Sequence, residues 1–432
     1  MKKQFIFILC GLFLCAGTIA ATDYNVLQQG VVGDGKTLNT QSLQSAIDAL
    51  HAKGGGQLYF PAGRYLTGSL QLKSNVTLYL EKEAMLLGST SPYDYPGFST
   101  EKELKVNNDH FDQALIYAEG AENIGITGEG CIDGQGRELA LTIDSLHHTG
   151  ELVDKHYNTY RKRPNTRPKL LFMRNCRKVE LRKTNFRSGA AWGLSFSLCV
   201  DLTIDSLHVE NRAYWNNDGI DISDCKDVRI SNCFINSADD GICLKSHNRG
   251  AWNDRVSISN CHIISSASAI KFGTESLGGF KNVTIDNIRI KDTFRSAIAI
   301  ESVDGAEIEN VKLENIEIVC PGRATRGMAY MSVSRLKDVP ENEKGYPEFT
   351  MFEELPSWGF YVRHVKGIQM HNVKLRLQED DFRPAFVFDR VSDVRLSDIS
   401  LPENKKAGQV VLRQTSLQSA DNAVKEYVRE VE

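Results

Sequence analysis

The sequence predicts an all-β protein, a right-handed parallel β-helix, and three observations carry that expectation. A motif of alternating apolar residues recurs at a short period, its alternation is that of strands, and cysteines and asparagines repeat at fixed offsets within it. The clearest copies are Val179-Glu180-Leu181, Leu202-Thr203-Ile204, Val228-Arg229-Ile230, Val256-Ser257-Ile258 and Val283-Thr284-Ile285, whose last residues step by 23, 26, 28 and 27. Weaker copies lie at Val76-Thr77-Leu78, Ile124-Gly125-Ile126, Ala306-Glu307-Ile308, Ile368-Gln369-Met370 and Val394-Arg395-Leu396.

A period of this length marks a solenoid, in which each unit touches only its neighbours. Leucine-rich repeats share the period, but their leucine framework is absent. Here every second residue is apolar, Val, Ile and Thr dominate, and Asn, Asp and Ser sit at the bends, which is strand chemistry. A coil of three short strands, each paired with the coils above and below, satisfies that pattern.

The inward columns can be read directly. Cys176, Cys199 and Cys225 each lie five residues before the end of an anchor triplet, and Cys233 and Cys261 lie three after one. The chain has 10 cysteines, and Cys10 and Cys15 fall in an N-terminal leader. Disulfides are the default in an exported chain, but three successive thiols in one column cannot all pair, so a buried ladder of free thiols is expected. Asn232 and Asn260 are expected to stack as a bend ladder.

The ends depart from the repeat. Ser42 to Lys53 places Leu43, Ile47, Ala49 and Leu50 at helical spacing before Gly54-Gly55-Gly56, as suits a helix capping the first coil. Residues Gly136 to Arg167 and Val319 to Ser357 are expected as excursions, the first polar and irregular. Leu417 to Val431 reads as weakly helical. Lys2 and Lys3, the apolar run Phe5 to Leu14 and the small residues through Ala21 have the order of a signal peptide. This divides the chain into a leader, 1–21, and one β-helix catalytic domain, 22–432, secreted or periplasmic after cleavage. The apolar run is too short to span a membrane. At 41% hydrophobic and 25% charged the composition is that of an ordinary globular protein, and losing the two lysines takes the formal charge from −4 to −6. With no basic tract, nucleic acid is not an expected partner. A monomer is expected.

Aligned by their apolar residues, four coils fall into register: Asp218-Gly219-Ile220-Asp221-Ile222-Ser223, Asp240-Gly241-Ile242-Cys243-Leu244-Lys245, Ser268-Ala269-Ile270-Lys271-Phe272-Gly273 and Ser296-Ala297-Ile298-Ala299-Ile300-Glu301. The isoleucines point inward, so Asp221 and Lys271 share one outward column and Ser223, Lys245 and Glu301 the next. Asp218 and Asp240 have inward parity, but each precedes a glycine at a bend, where the backbone is expected to turn the carboxylate out. Coils stack about 4.8 Å apart, which gathers Asp218, Asp239 and Asp240 on one small area. Crowded carboxylates raise the pKa of at least one, and glycoside hydrolysis needs one protonated carboxyl and one carboxylate that activates water.

These residues resemble glycoside hydrolase family 28, the polygalacturonase-like family of pectate lyase-like β-helices. The resemblance rests on Asn216-Asn217-Asp218-Gly219-Ile220-Asp221 and Ala238-Asp239-Asp240-Gly241-Ile242. Gly33-Asp34-Gly35, Pro61-Ala62-Gly63-Arg64-Tyr65, Leu87-Gly88-Ser89, Ile132-Asp133-Gly134-Gln135-Gly136 and Trp192 extend it. It implies hydrolysis of a pectic poly- or oligosaccharide of galacturonan or rhamnogalacturonan type, with inversion and no cofactor or metal. Asp239 would be the general acid, and Asp218 and Asp240 would hold and activate the water.

The chain departs from the family where basic residues grip a galacturonate carboxylate: the histidine position is Ser268, and the Arg-Ile-Lys positions read Ala299-Ile300-Glu301. Asp221, Lys245, Lys271, His247 and Glu275 are therefore the expected substrate contacts, the last two at the rim. The second excursion resembles a segment of bacterial members and is expected to wall the cleft and favour exo action. Two other readings stay open: pectate lyase-like β-elimination on a Ca²⁺ cluster of Asp218, Asp239 and Asp240 with Lys271 as base, and a carbohydrate-binding β-helix without turnover.

Overall fold

A computed structural model describes residues 22–97, 113–152, 167–302, 304–325, 327, 332–341, 355–402 and 408–432. Residues 1–21, read as a leader, and part of the second excursion lie outside them. Among the described residues no helix is long and apolar enough to cross a membrane.

The strands stack as parallel ladders, coil on coil. One ladder has twelve strands in strict chain order, from Leu70–Gln71 to Val428–Val431. The rest join in a 19-stranded assembly in which long strands such as Asn253–Ser265 and Phe280–Lys291 bend through two faces of the coil. Val179 pairs with Leu202, Leu202 with Val228, and Val228 with Val256, so the anchor triplets lie one above another as the alignment requires.

Inside, the side chains form unbroken apolar columns. In the twelve-stranded ladder Leu171, Leu194, Ile220, Ile242, Ile270, Ile298, Phe360, Phe386 and Val410 follow one another in register, all fully buried. Full burial of each such side chain contributes on the order of 1.5–3 kcal/mol, and Phe360 and Phe386 stack with centroids 4.8 Å apart. All eight cysteines of the described residues are free, and Cys176, Cys199 and Cys225 are completely buried. The Cys199 amide donates to the Cys225 sulfur at 3.3 Å.

The bends are held by left-handed residues. Asn232, Asn260, Asn287, Asn315 and Asn372 all have φ between 52° and 56°. Their amides link coil to coil: Asn260 Nδ2 donates to Asn232 Oδ1 at 3.2 Å, and Asn287 Nδ2 to Asn260 Oδ1 at 2.8 Å. Asparagine tolerates this conformation better than most residues.

The cap is a helix over Thr40–Ala52 that buries Leu43, Ala46, Ile47 and Leu50. Ala46 takes the buried position expected of Ala49. Gly55 ends it at φ 118°, where a Cβ would lie 2.3 Å from the Asn75 carbonyl oxygen.

Two expectations need correction. The first excursion opens with a helix, Gly136–Thr149, burying Leu139, Ala140 and Ile143; its apolar stripe was hidden by the polar residues around it. The C-terminal segment forms strands Leu417–Ala420 and Val428–Val431 around a single helical turn, Asn422–Lys425. Val428 pairs with Val410, and coil stacking overrides the local helical preference.

Candidate active site

The site lies where the chain enters the fifth to eighth strands of the twelve-stranded ladder. Asp218 and Asp240 sit at the bend ahead of Ile220–Ser223 and Ile242–Ser246, each about 4% exposed. The intervening glycines are required by close approach and not by positive φ. A Cβ on Gly219 would lie 2.5 Å from the Gly241 carbonyl oxygen, and one on Gly241 2.5 Å from that of Ala269.

Buried amides fix the bend before Asp218. Asn217 Nδ2 donates to the carbonyls of Gly189 at 2.9 Å and Ala191 at 2.7 Å, and Asn211 Nδ2 donates to the Asp218 carbonyl at 2.8 Å. Arg167 donates to the carbonyls of Ala190 at 2.6 Å and Trp215 at 2.5 Å and to Asn216 Oδ1 at 3.0 Å. The Asp239 backbone is pinned equally: its carbonyl accepts from Ser237 Oγ at 2.9 Å and Ser265 Oγ at 2.6 Å, and its amide donates to Asn217 O at 3.2 Å.

Every acid of the cluster has a cation beside it. Lys245 Nζ lies 2.6 Å from Asp221 Oδ1 and 3.1 Å from Asp218 Oδ2, and stands over the Trp192 ring at 3.4 Å from its centroid. Lys271 Nζ is 3.4 Å from Asp240 Oδ2. Arg295 is 3.9 Å from Asp239 Oδ1, in the most open pair of the cluster, with side chains 22% and 25% exposed. Lys245 and Lys271 were expected to meet substrate; both are buried and engaged by aspartates.

The acids are pushed in different directions. Burial raises Asp218 well above the usual carboxylate range and the neighbouring Asp221 charge adds to it, against the pull of Lys245. Burial and the adjacent Asp240 charge raise Asp239. Burial also acts to raise Asp240, but Lys271, Arg295, Lys245 and the Ser268 amide outweigh it and hold Asp240 below the ordinary range. The result is a raised acid next to a lowered one, with the raised Asp239 the more exposed of the two.

Asp218, Asp240 and Cys243 bring an oxygen or sulfur ligand atom each within 4.8 Å of one another, close enough to hold a metal ion. The lysine ammoniums on the same carboxylates already compensate their charge, so the donor set suits a small polar occupant such as water better than a dication.

Other expected residues fall elsewhere. His247 Nδ1 and Glu275 Oε2 pair at 2.6 Å, but at the bend that ends these strands, across the sheet from the aspartates. Asp224 anchors that bend through Ser246 Oγ at 2.5 Å and the amides of His247 and Asn248 at 3.0 and 3.1 Å. Ser268 is fully buried. Glu301 is buried in the coil beyond Lys271. Sequence reading missed Arg167, Arg295, Asp224 and Lys169, a buried lysine over the Phe172 and Trp192 rings at 4.1 and 4.7 Å. Arg167 and Lys169 border the irregular excursion, and nothing in the repeat pattern singled them out.

A sequence profile for "Glycosyl hydrolases family 28" matches residues 56–320, more than half of the chain. The chain belongs to glycosyl hydrolase family 28. A second profile, "Rhamnogalacturonase A/epimerase, pectate lyase-like", matches residues 24–87. A probable polygalacturonase of Vitis vinifera is 30% identical over 299 residues, covering 65% of this chain and 55% of that protein. An exo-poly-alpha-D-galacturonosidase of Dickeya chrysanthemi is 27% identical over 248 residues, covering 50% and 41%. The chain thus spans about half the length of these curated relatives. In fold it is similar to the family 28 exopolygalacturonase of Yersinia enterocolitica, with a TM-score of 0.66 at 20% identity over 95% of this chain and 77% of that one. The polygalacturonase of Erwinia carotovora subsp. carotovora gives 0.60 at 17% identity, over 90% and 96%. The family 28 chain has the right-handed parallel β-helix of these neighbours.

Proposed function

We propose that the chain is an exported glycoside hydrolase that cleaves a pectic poly- or oligosaccharide with inversion. The observation that carries this is the opposed tuning of adjacent acids. Asp239 is raised and partly open to solvent, which suits protonation of the leaving oxygen; Asp240 is held below the ordinary range beside Lys271, which suits activation of water, and Asp218, raised by burial, stands beside it to hold that water. Lysine compensation of the cluster favours hydrolysis over Ca²⁺-dependent β-elimination.

Exo action is supported by what covers the next coils. Leu336, Val339 and Leu355 of the second excursion pack on Ala299, Tyr361, Val387 and Val411, the outward column beyond Lys271. Substrate running along the coils therefore meets a wall at that end.

The test is a screen of pectic fragments (homogalacturonan, both rhamnogalacturonans, xylogalacturonan) with wild type and Asp239→Asn, following reducing ends and product anomer by NMR. The expected result is cleavage with inversion and a loss of about 10³-fold in the variant. An Asp239→Asn protein that matches wild type on every cleaved substrate removes the acid assignment. Products absorbing in the ultraviolet and lost with chelator establish β-elimination instead.

A further inference from the structure

The proposed chemistry makes no use of Glu301, a buried acid next to the site. Glu301 follows the strand Ile298–Ile300, which pairs with Ile270–Ser276 so that Ala299 stands beside Lys271. Its side chain is 6% exposed, and its Oε2, completely buried, has no hydrogen-bond partner among the described residues. No cation lies within salt-bridge distance of it among those residues. An ionised carboxylate left this way is costly in a protein interior, whereas a neutral carboxylic acid is tolerated.

The charged groups facing it come from every neighbouring coil. Lys271 and Asp240 lie on the site side, Arg295 comes from the turn before its own strand, and Arg363 belongs to the coil beyond. Arg363 is already spent: it donates to Glu341 at 2.6 Å, to Asp389 at 3.2 Å and to the Ser302 carbonyl at 3.2 Å. Tyr361, beside it, is a buried phenol raised by burial. Lys271 is the cation whose placement the state of Glu301 can change.

We propose that Glu301 is a positioning residue for Asp240, a neutral carboxylic acid that leaves the Lys271 ammonium committed to Asp240 and that draws this ammonium away when it ionises. This rests on the assignment of Asp240 as the base. Burial, opposed by Lys271 and Arg363, pushes Glu301 up to about 7. Ionisation then places a second anion beside Lys271, divides its charge and raises Asp240. The cluster is thereby intact on the acid side of neutrality and weakened on the alkaline side.

The experiment compares wild type, Glu301→Gln and Glu301→Leu by pH profile and by ¹³C carboxyl NMR. The expected NMR result is a buried glutamate titrating near neutrality in wild type, an Asp240 signal that inflects at the same pH, and loss of both in either variant. The expected kinetic result is that wild type loses about tenfold in kcat between pH 6 and pH 8 relative to the two variants, since a group with a pKa near 7 is about tenfold ionised one unit above it. A merely structural role leaves the alkaline limb where it was. A glutamate titrating in its ordinary range, or an Asp240 inflection that persists in both variants, overturns the proposal. If wild type cleaves no pectic fragment the proposed function fails, and the NMR arm alone decides the role of Glu301.

Discussion

One outward column of the twelve-stranded ladder carries two contrasting surfaces. From Asp221 through Cys243 to Lys271 it is polar, and its neighbours are Asp218, Asp239 and Asp240, each with a cation beside it. From Ala299 through Tyr361 and Val387 to Val411 the same column is apolar and sealed by Leu336, Val339 and Leu355. Backbone register is continuous across the boundary, so the coil geometry does not distinguish them. What differs is what packs on each part. The charged part is itself buried, with its lysines set against aspartates, whereas the apolar part packs against the excursion and becomes a second core.

Charge is handled differently on the two sides as well. Beyond the wall, Asp389 is shared by Arg363 at 3.2 Å and Arg413 at 2.8 Å, with all three side chains almost completely buried. There two buried arginines bracket Asp389, and Arg363 reaches Glu341 as well. In the site, Lys245 alone serves both Asp218 and Asp221, and one Asp221 oxygen has no hydrogen bond among the described residues. The acids of the site are therefore tuned apart: burial raises Asp218 and Asp239, while Lys271 and Arg295 hold Asp240 below the ordinary range.

The contrast can be broken most strongly at Lys245. Lys245→Met leaves two buried carboxylates without their cation, and a loss of about 3–5 kcal/mol in denaturant unfolding is expected near neutral pH. A loss below about 1 kcal/mol would show that Asp218 and Asp221 do not depend on that ammonium. Next in size is Glu301→Gln. A carboxyl whose folded pKa, about 7, lies above its unfolded value of 4.5 is bound to a proton more tightly in the native state. Native stability therefore falls as pH rises from the unfolded to the folded value. Glu301→Gln removes that penalty: its gain over wild type is expected to be absent below the unfolded value and to approach roughly 3 kcal/mol above the folded one, read as Tm against pH.

Leu336→Ala thins the wall. A loss of about 2 kcal/mol is expected, with shorter internal products from a long pectic chain; an unchanged product ladder would remove the wall from the account of exo action. Smallest is Asn260→Ala in the bend ladder, where a left-handed residue and two amide links are lost. About 1 kcal/mol is expected from calorimetry, with activity unchanged.

Much of this molecule is legible in the chain. The period, the alternation and the Cys and Asn offsets specify stacked coils, because in a solenoid each residue's neighbours sit one repeat away. The outward placement of Asp221, Lys245 and Lys271 follows from parity alone. Asp218 and Asp240 could be located at their bend, though the glycines beside them serve close approach and not positive φ. His247 and Glu275, read as rim residues, pair at the bend that ends these strands.

What only the tertiary structure decided is which charges meet. Lys245 and Lys271 face outward by parity, and the fold sets them against Asp218, Asp221 and Asp240. Arg295 reaches Asp239 from a turn, and the excursion closes the column beyond Lys271. These contacts join bends, long side chains and irregular segments that have no period. Their partners are set by how the chain folds back over the coils, and the energy of a buried charge depends on those partners more than on the residue itself.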